Sequence, residues 1–315
     1  MSKTGSSGTD ERRVYGVLAP VLTPFHADLS PDAGRLARFC RWLLAHGCSA
    51  LAPFGTTSEA NSLSVDEREK LLDAIREDGV PAERLLVGTG ACSLTDAVRL
   101  TAQAVRHGCA GVLMLPPFYY KAVSEDGFFR FFAEVIERVG DARLKIYLYH
   151  FPPVAHVGFS RKLVERLLRA YPRTVAGMKD SSGDFANTKT MLDAFAQDGF
   201  DVFVGSERFL LAGMRGGGAG CISATANVNA GAIDRLYRAW RSPEAEALQA
   251  EVDAVRGAVE KVPLIPGLKA IVALHAADPG WLNLRPPLVD LPPEQRAALL
   301  ADVAALKLAL PDLRG

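Results

Sequence analysis

The chain has 315 residues, with 36 acidic and 36 basic side chains and 49% hydrophobic residues. That is enough for one large α/β domain or a barrel with an appendage. Balanced charge gives no electrostatic footprint for nucleic acid or an anionic membrane surface, and no apolar run reaches the length of a membrane span. Residues 1–13, beginning MSKTGSSGTD, lack the apolar core of a signal peptide and read as a disordered lead-in. Five cysteines, without paired spacing, read as reduced, buried thiols of a cytoplasmic protein.

From residue 14 to about residue 240, short apolar runs alternate with amphipathic segments. Strands are expected at Val17–Val21, Ala50–Phe54, Leu85–Gly88, Gly111–Leu115, Lys145–Tyr149, Thr174–Met178, Asp201–Val204 and Gly220–Ala224. Apolar spacing and capping residues place helices at Asp32–His46, Ser64–Ile75, Ser93–His107 and Ser124–Arg138. Eight such units, with strands apolar enough to be covered on both faces, predict a closed (β/α)8 TIM barrel over residues 14–240 rather than an open doubly wound sheet. After Trp240 the strands stop. Residues 241–315 read as a C-terminal helical region, with helices at Pro243–Lys261, Pro266–Ala277 and Pro293–Leu310.

His46-Gly-Cys and His107-Gly-Cys each mark a helix ending before a buried strand, with histidine at the negative helix end and glycine at the left-handed cap. Neither copy brings the further ligands that a zinc site needs, so no metal is expected. Arg215-Gly-Gly-Gly-Ala-Gly220 follows a helix and precedes a strand. That order puts it on the barrel face opposite an active site, as a tight turn rather than a phosphate loop.

In such a barrel, reacting groups sit at the C-terminal ends of strands. Lys179 lies in Thr174-Val-Ala-Gly-Met-Lys-Asp-Ser-Ser-Gly183, a lysine inside an apolar strand. Two readings stand at this point. The side chain snorkels to water, or it is desolvated toward the range where an amine is nucleophilic and forms Schiff bases with carbonyl substrates. Alternation puts Lys145, Tyr147 and Tyr149 on one face of the fifth strand, and Lys179 on one face of the sixth with Val175 and Gly177. A phenol and an amine on adjacent strand ends can exchange protons, as carbinolamine chemistry requires. Gly55-Thr-Thr offers N–H groups and hydroxyls suited to a small carboxylate, and equally reads as a capped turn.

Taken together, Gly55-Thr-Thr-Ser-Glu59, Pro117-Phe-Tyr-Tyr120, Tyr149-His-Phe-Pro152, Gly177-Met-Lys-Asp180 and Gly220-Cys-Ile-Ser-Ala-Thr-Ala-Asn227 resemble the dihydrodipicolinate synthase / N-acetylneuraminate lyase family, in order from about Gly16 to Asn227. The resemblance implies a homotetramer or homodimer with class I aldolase chemistry on pyruvate-type 2-oxo acids. It implies no cofactor beyond the covalent Schiff base through Lys179. It also implies that Tyr149 shuttles protons, that Thr56 and Thr57 hold the pyruvate carboxylate with Thr57 linked to the relay, and that Tyr119 crosses a dimer interface to complete the neighbour's relay. Ile222 matches a residue lining the methyl pocket and Gly205 a backbone contact to substrate.

Departures from the family pattern bear on the substrate. Dihydrodipicolinate synthases carry an arginine shortly after the tyrosine; here Val154 stands near that place, after an apparent two-residue insertion, with His156 a weaker cation. Neuraminate lyases pair an aspartate with a glutamate after the seventh strand; here Gly205-Ser206-Glu207 keeps one acid. Ser58 replaces a common glycine. With Asp180, Ser181 and Ser182, these residues predict a polar, hydroxyl-reading distal pocket, with Asp180 itself turned away as a support residue. The reading is a carbon–carbon lyase for a small hydroxylated 2-oxo acid. A sugar-acid dehydratase, a 4-hydroxy-tetrahydrodipicolinate synthase and a non-catalytic relative stay open.

Overall fold

A computed structural model describes residues 13–314. The expected lead-in therefore lies, apart from Arg13, outside the described residues. Eight strands form one sheet: β1 (Gly16–Ala19), β2 (Ala50–Leu51), β3 (Leu86–Gly88), β4 (Gly111–Met114), β5 (Ile146–His150), β6 (Val175–Asp180), β7 (Asp201–Val204) and β8 (Gly220–Ile222). All neighbours pair in parallel, in the order β2-β1-β8-β7-β6-β5-β4-β3. A parallel bridge between Leu51 and Leu85 joins the two ends and closes the barrel. β2 stops short of its expected end, because Phe54 takes a left-handed φ of 62° and turns the chain away.

The connecting helices are α1 (Ala33–Ala45), α2 (Val65–Glu77), α3 (Leu94–Arg106), α4 (Glu125–Val139), the one-turn α5 (Pro152–Ala155), α6 (Arg161–Ala170), α7 (Phe185–Phe195), α8 (Leu210–Arg215) and α9 (Ala226–Ala239). Their starts are fixed by side chains that accept otherwise unpaired backbone N–H groups. Ser64, Ser93, Ser124 and Ser160 each accept from the third helical residue, and Ser64 forms a full capping box with Glu67. The segment after Tyr149 that carries the apparent insertion folds as α5. The glycine-rich stretch from Gly216 is the α8–β8 turn, with Gly217 at φ 89°.

Side chains alternate between two shells. Leu18, Leu86, Tyr147, Tyr149, Phe203 and Ile222 fill the barrel interior, whereas Val17, Ile146, Leu148, Met178 and Cys221 face the helices. One expectation changes here. The β5–β6 register steps from Ile146↔Val175 to Tyr147↔Gly177, a bulge that spends one extra residue on β6. Val175 therefore joins the helix-facing shell, while Lys179 pairs with inward-facing Tyr149. At the N-terminal end of the barrel, the Tyr147 hydroxyl donates to Asp201 at 3.1 Å, and Arg13 Nε reaches the same carboxylate at 2.9 Å. Burial still holds the Asp201 carboxyl above its usual value, against the pull of Arg13.

Three further helices follow: α10 (Ala245–Val259), α11 (Leu264–Ala276) and α12 (Pro293–Ala305). α11 starts two residues before the expected Pro266, and α12 ends before Leu310 because Lys307 adopts φ 56°. Among the described residues no helix is long and apolar enough to cross a membrane. Four cysteines are buried; Cys92, contrary to expectation, is exposed in the loop before α3. His46 contacts the Trp42 carbonyl at 2.7 Å and His107 the Asp73 carboxylate at 2.7 Å, so both act at helix ends.

Candidate active site

Lys179 and Tyr149 are cross-strand partners at the C-terminal ends of β6 and β5, each only 4% exposed. Lys179 Nζ lies 4.4 Å from the centre of the Tyr149 ring, and it makes no hydrogen bond or ion pair with the described residues. The snorkelling alternative is thereby answered: the amine points into the barrel mouth. Tyr149 is steadied on its other side by Phe151, stacked at 5.7 Å and 17°. Below them Gly177 leaves room for Tyr147, since a Cβ there would come within 2.8 Å of its ring.

The Gly55–Glu59 turn is wound tightly between left-handed residues Phe54 (φ 62°) and Glu59 (φ 56°). It brings Thr56 Oγ1 to 3.4 Å from the Tyr149 hydroxyl. The hydroxyl in reach of the Tyr149 phenol is thus that of Thr56 rather than the expected Thr57, which lines the same cavity. Ser58 does not face substrate space. Its side chain is fully buried, its Oγ accepts the Gly55 N–H at 3.3 Å, and its carbonyl accepts from Thr23 at 2.7 Å. Glu59 ion-pairs with Lys269 of α11, and both side chains are sealed from solvent. Burial lowers the Lys269 pKa although Glu59 pulls the other way. Lys269 Nζ also donates to the Asn283 carbonyl at 2.8 Å and sits 4.6 Å over Phe25.

Gly205 lines the cavity at the end of β7, where a Cβ would stand 2.1 Å from Ser181 Oγ and 2.7 Å from the Asp180 carbonyl. Only glycine lets the two loops meet. Ser206 lines the cavity beside it. Glu207 departs from expectation: it is fully buried and its carboxylate accepts from the hydroxyls of Ser223 and Thr225, with Arg256 Nη1 at 3.4 Å. It ties β7 to the segment after β8 instead of reading a ligand. Ile222 is fully buried in the barrel interior, below the cavity lining. Asn227 locks the same segment to β1, accepting the Leu22 N–H at 3.1 Å and donating to the Pro20 carbonyl at 3.0 Å.

Asp180 turns away from the site as alternation requires. It accepts from Ser182 N–H at 2.8 Å, Asn187 at 2.9 Å and Thr188 at 2.7 Å. Its strand partner His150 accepts the Phe159 N–H on Nδ1 at 2.9 Å, and burial lowers the imidazole pKa. Tyr119 stands 73% exposed, edge-on to Tyr120 at 5.3 Å and outside the cavity lining. His156 is exposed and also outside it. Val154 is at the rim, so the segment after Tyr149 brings no cation.

Lys179, Tyr149, Phe151, Thr56, Thr57, Gly205 and Ser206 line a cavity of about 560 Å³. Residues with no site signal in the sequence complete it. Phe209 follows β7, Arg256 and Glu260 come from the end of α10, and Ile265 comes from the start of α11. The wall therefore mixes apolar side chains such as Phe209 and Ile265 with the hydroxyls of Ser181 and Ser206 and the charged Arg256 and Glu260.

A parallel barrel that ends a strand in a buried amine against a tyrosine has the constellation of a class I lyase. Comparison with known proteins gives the family. The model of the dihydrodipicolinate synthetase family matches residues 13–306, and the chain belongs to that family. It is 34% identical over 293 residues to an uncharacterized DapA-like lyase of Chloroflexus aurantiacus, covering 91% of this chain and 95% of that one. It is 31% identical over 238 residues to the 4-hydroxy-tetrahydrodipicolinate synthase of Acidiphilium cryptum, covering 75% and 78%. Among solved structures, dihydrodipicolinate synthase from Agrobacterium tumefaciens C58 superposes with a TM-score of 0.84 at 32% identity, covering 93% and 99%. YagE of E. coli K12 in complex with pyruvate gives 0.85 at 25% identity, covering 94% and 99%.

Proposed function

We propose that the protein is a class I aldolase that cleaves or forms a hydroxylated 2-oxo acid, with pyruvate as one partner. The observation that carries this is Lys179 Nζ, buried against the Tyr149 ring with no carboxylate or hydrogen-bond partner among the described residues. The nitrogen faces the cavity, and no protein group there competes with a substrate carbonyl for it.

Lys179 attacks C2 of the oxo acid, and loss of water from the carbinolamine leaves a protonated imine. Tyr149 takes the proton of the C4 hydroxyl as the C3–C4 bond breaks. The bonding pair flows into the imine to give an enamine, and the aldehyde departs. Protonation at C3 and hydrolysis then release pyruvate and restore the amine. The imine is the electron sink, so the reading calls for no metal or organic cofactor. Thr56, 3.4 Å from the phenol, passes the proton on, and Thr56 and Thr57 hold the carboxylate. Tyr119, presented to solvent, completes the relay of a second copy in a homodimer or homotetramer. We place the protein in the cytoplasm, where its free thiols stay reduced.

Pyruvate and borohydride test the reading. A stable mass increment is expected on the peptide that contains Lys179. No adduct, or one on another lysine such as Lys269, overturns it.

A further inference from the structure

We propose that a second cavity binds a small neutral ligand that presents a carbonyl and an N–H side by side, as a primary carboxamide or a lactam does. This cavity measures about 610 Å³, within the range of small-molecule sites, and shares no lining residue with the catalytic one. The end of α1 contributes Trp42 and His46, α9 contributes residues 228–232, and α10 contributes Val255. Residues 306–309, after α12, close the remaining side. Nothing in this site depends on what Lys179 does.

Asn229 carries the inference. α9 loses helical geometry at this residue, with φ −135° and ψ 25°, and the side chain lines the cavity. Only 8% of the residue is exposed, yet its Nδ2 has no hydrogen-bond partner among the described residues. Nothing among them bonds to its Oδ1 either. Asn227, two residues earlier, shows the contrast. It accepts from the Leu22 N–H and donates to the carbonyls of Pro20 and Ala224. A buried amide left unpaired is costly, and folded proteins seldom keep one without a partner of some kind.

The missing partner has to accept from an amide N–H and donate to an amide oxygen along one edge. A carboxamide or lactam does both, and a half-turn of the Asn229 side chain suits either sense. A lone water is a poorer answer. A buried water typically makes about three hydrogen bonds, and the flanking wall residues Val228 and Ala230 are apolar. A carboxylate also fits less well. Arg235 and Lys307 line the cavity but are exposed, and Arg235 already has Glu251 at 3.6 Å. An anion drawn in to Asn229 would lose its water while these cations keep theirs. Trp42, Val255 and Leu308 offer the ligand's remainder an apolar wall.

Benzamide and 2-quinolone serve as probes, set against N,N-dimethylbenzamide and N-methyl-2-quinolone, which lack the N–H, and against benzoate. Ligand-observed NMR on the whole protein gives a Kd for each. Benzamide or 2-quinolone should bind about tenfold more tightly than its methylated partner, as a lost hydrogen bond with its buried partner left unpaired warrants. In Asn229→Leu that ratio should fall to about one. Ala254→Phe, on an exposed position of α10 that lines the cavity, should block binding while leaving Asn229 in place. The wild-type protein alone can overturn the proposal: by equal Kd within both pairs, by tighter binding of benzoate than of benzamide, or by no binding of either probe at millimolar concentration. A preference that survives in Asn229→Leu, or binding undiminished in Ala254→Phe, overturns it as well.

Discussion

Replacing Lys269 with methionine removes a charge that the fold has hidden completely, and the outcome follows from what stays behind. The Lys269–Glu59 pair is sealed from solvent, with Glu59 Oε2 also accepting the Arg285 N–H at 3.3 Å. Methionine fills the volume but leaves the Glu59 carboxylate buried without its counter-ion, which costs about 3–5 kcal/mol. Unfolding entropy of about 2.1 cal/mol/K per residue gives roughly 0.6–0.7 kcal/mol/K for a chain of this length, so Tm should fall by about 5–8 °C. The second mutation supplies the control. In Lys269→Met with Glu59→Gln, no uncompensated charge remains, and most of the loss should be recovered. Because Glu59 ends the turn that carries Thr56 and Thr57, pyruvate capture on Lys179 should weaken in Lys269→Met and recover with it. Thermal scans and borohydride trapping of the four proteins read both effects. A Tm within 1 °C of wild type for Lys269→Met, or a double variant no more stable than the worse single one, refutes the reasoning.

Tyr149→Phe keeps the ring beneath Lys179 and removes the proton carrier. Adduct formation with pyruvate should persist while aldol cleavage falls about 10²–10⁴-fold in kcat, and an undiminished kcat would exclude Tyr149 as the base. Arg285 holds the Glu67 carboxyl down to about 2 from its ordinary 4.5, through contacts at 2.8 Å and to its second oxygen. A depressed carboxyl stabilises the fold fully above its unfolded value and stops doing so as pH falls through its folded value. Urea midpoints of wild type and Glu67→Gln should therefore differ most above pH 4.5 and converge as pH drops toward about 2. A gap that widens on acidification contradicts the assignment.

The barrel was legible because its signals are local. Serines at positions 64, 93 and 124 announce helices within three residues of themselves, and each strand is a short apolar run. Lys179 and Tyr149 were legible for the same reason, since alternation along a strand fixes a side chain's face. The bulge at the start of β6 was not, because it exists only in the pairing with β5. Thr56 and Thr57 are adjacent hydroxyls in a turn, and their order of approach to Tyr149 depends on the left-handed bends at Phe54 and Glu59. Ser58 and Glu207 show the same limit: residue type suggested substrate contacts, while the fold had already assigned their hydrogen bonds. Arg256 and Ile265 reach the cavity from helices far along the chain, and no short-range pattern marks them.

The sealed pairing of residue 59 with residue 269 has a bearing on biosynthesis. Every strand precedes α10 in the chain, yet a growing polypeptide that has completed all of them still holds carboxylates, the sealed Glu59 and Glu207 among them, whose compensating cations have not been translated. The turn that ends at Glu59 therefore settles only after α11 has left the ribosome. A fragment cut at residue 240 should collapse into a barrel with that turn unfastened.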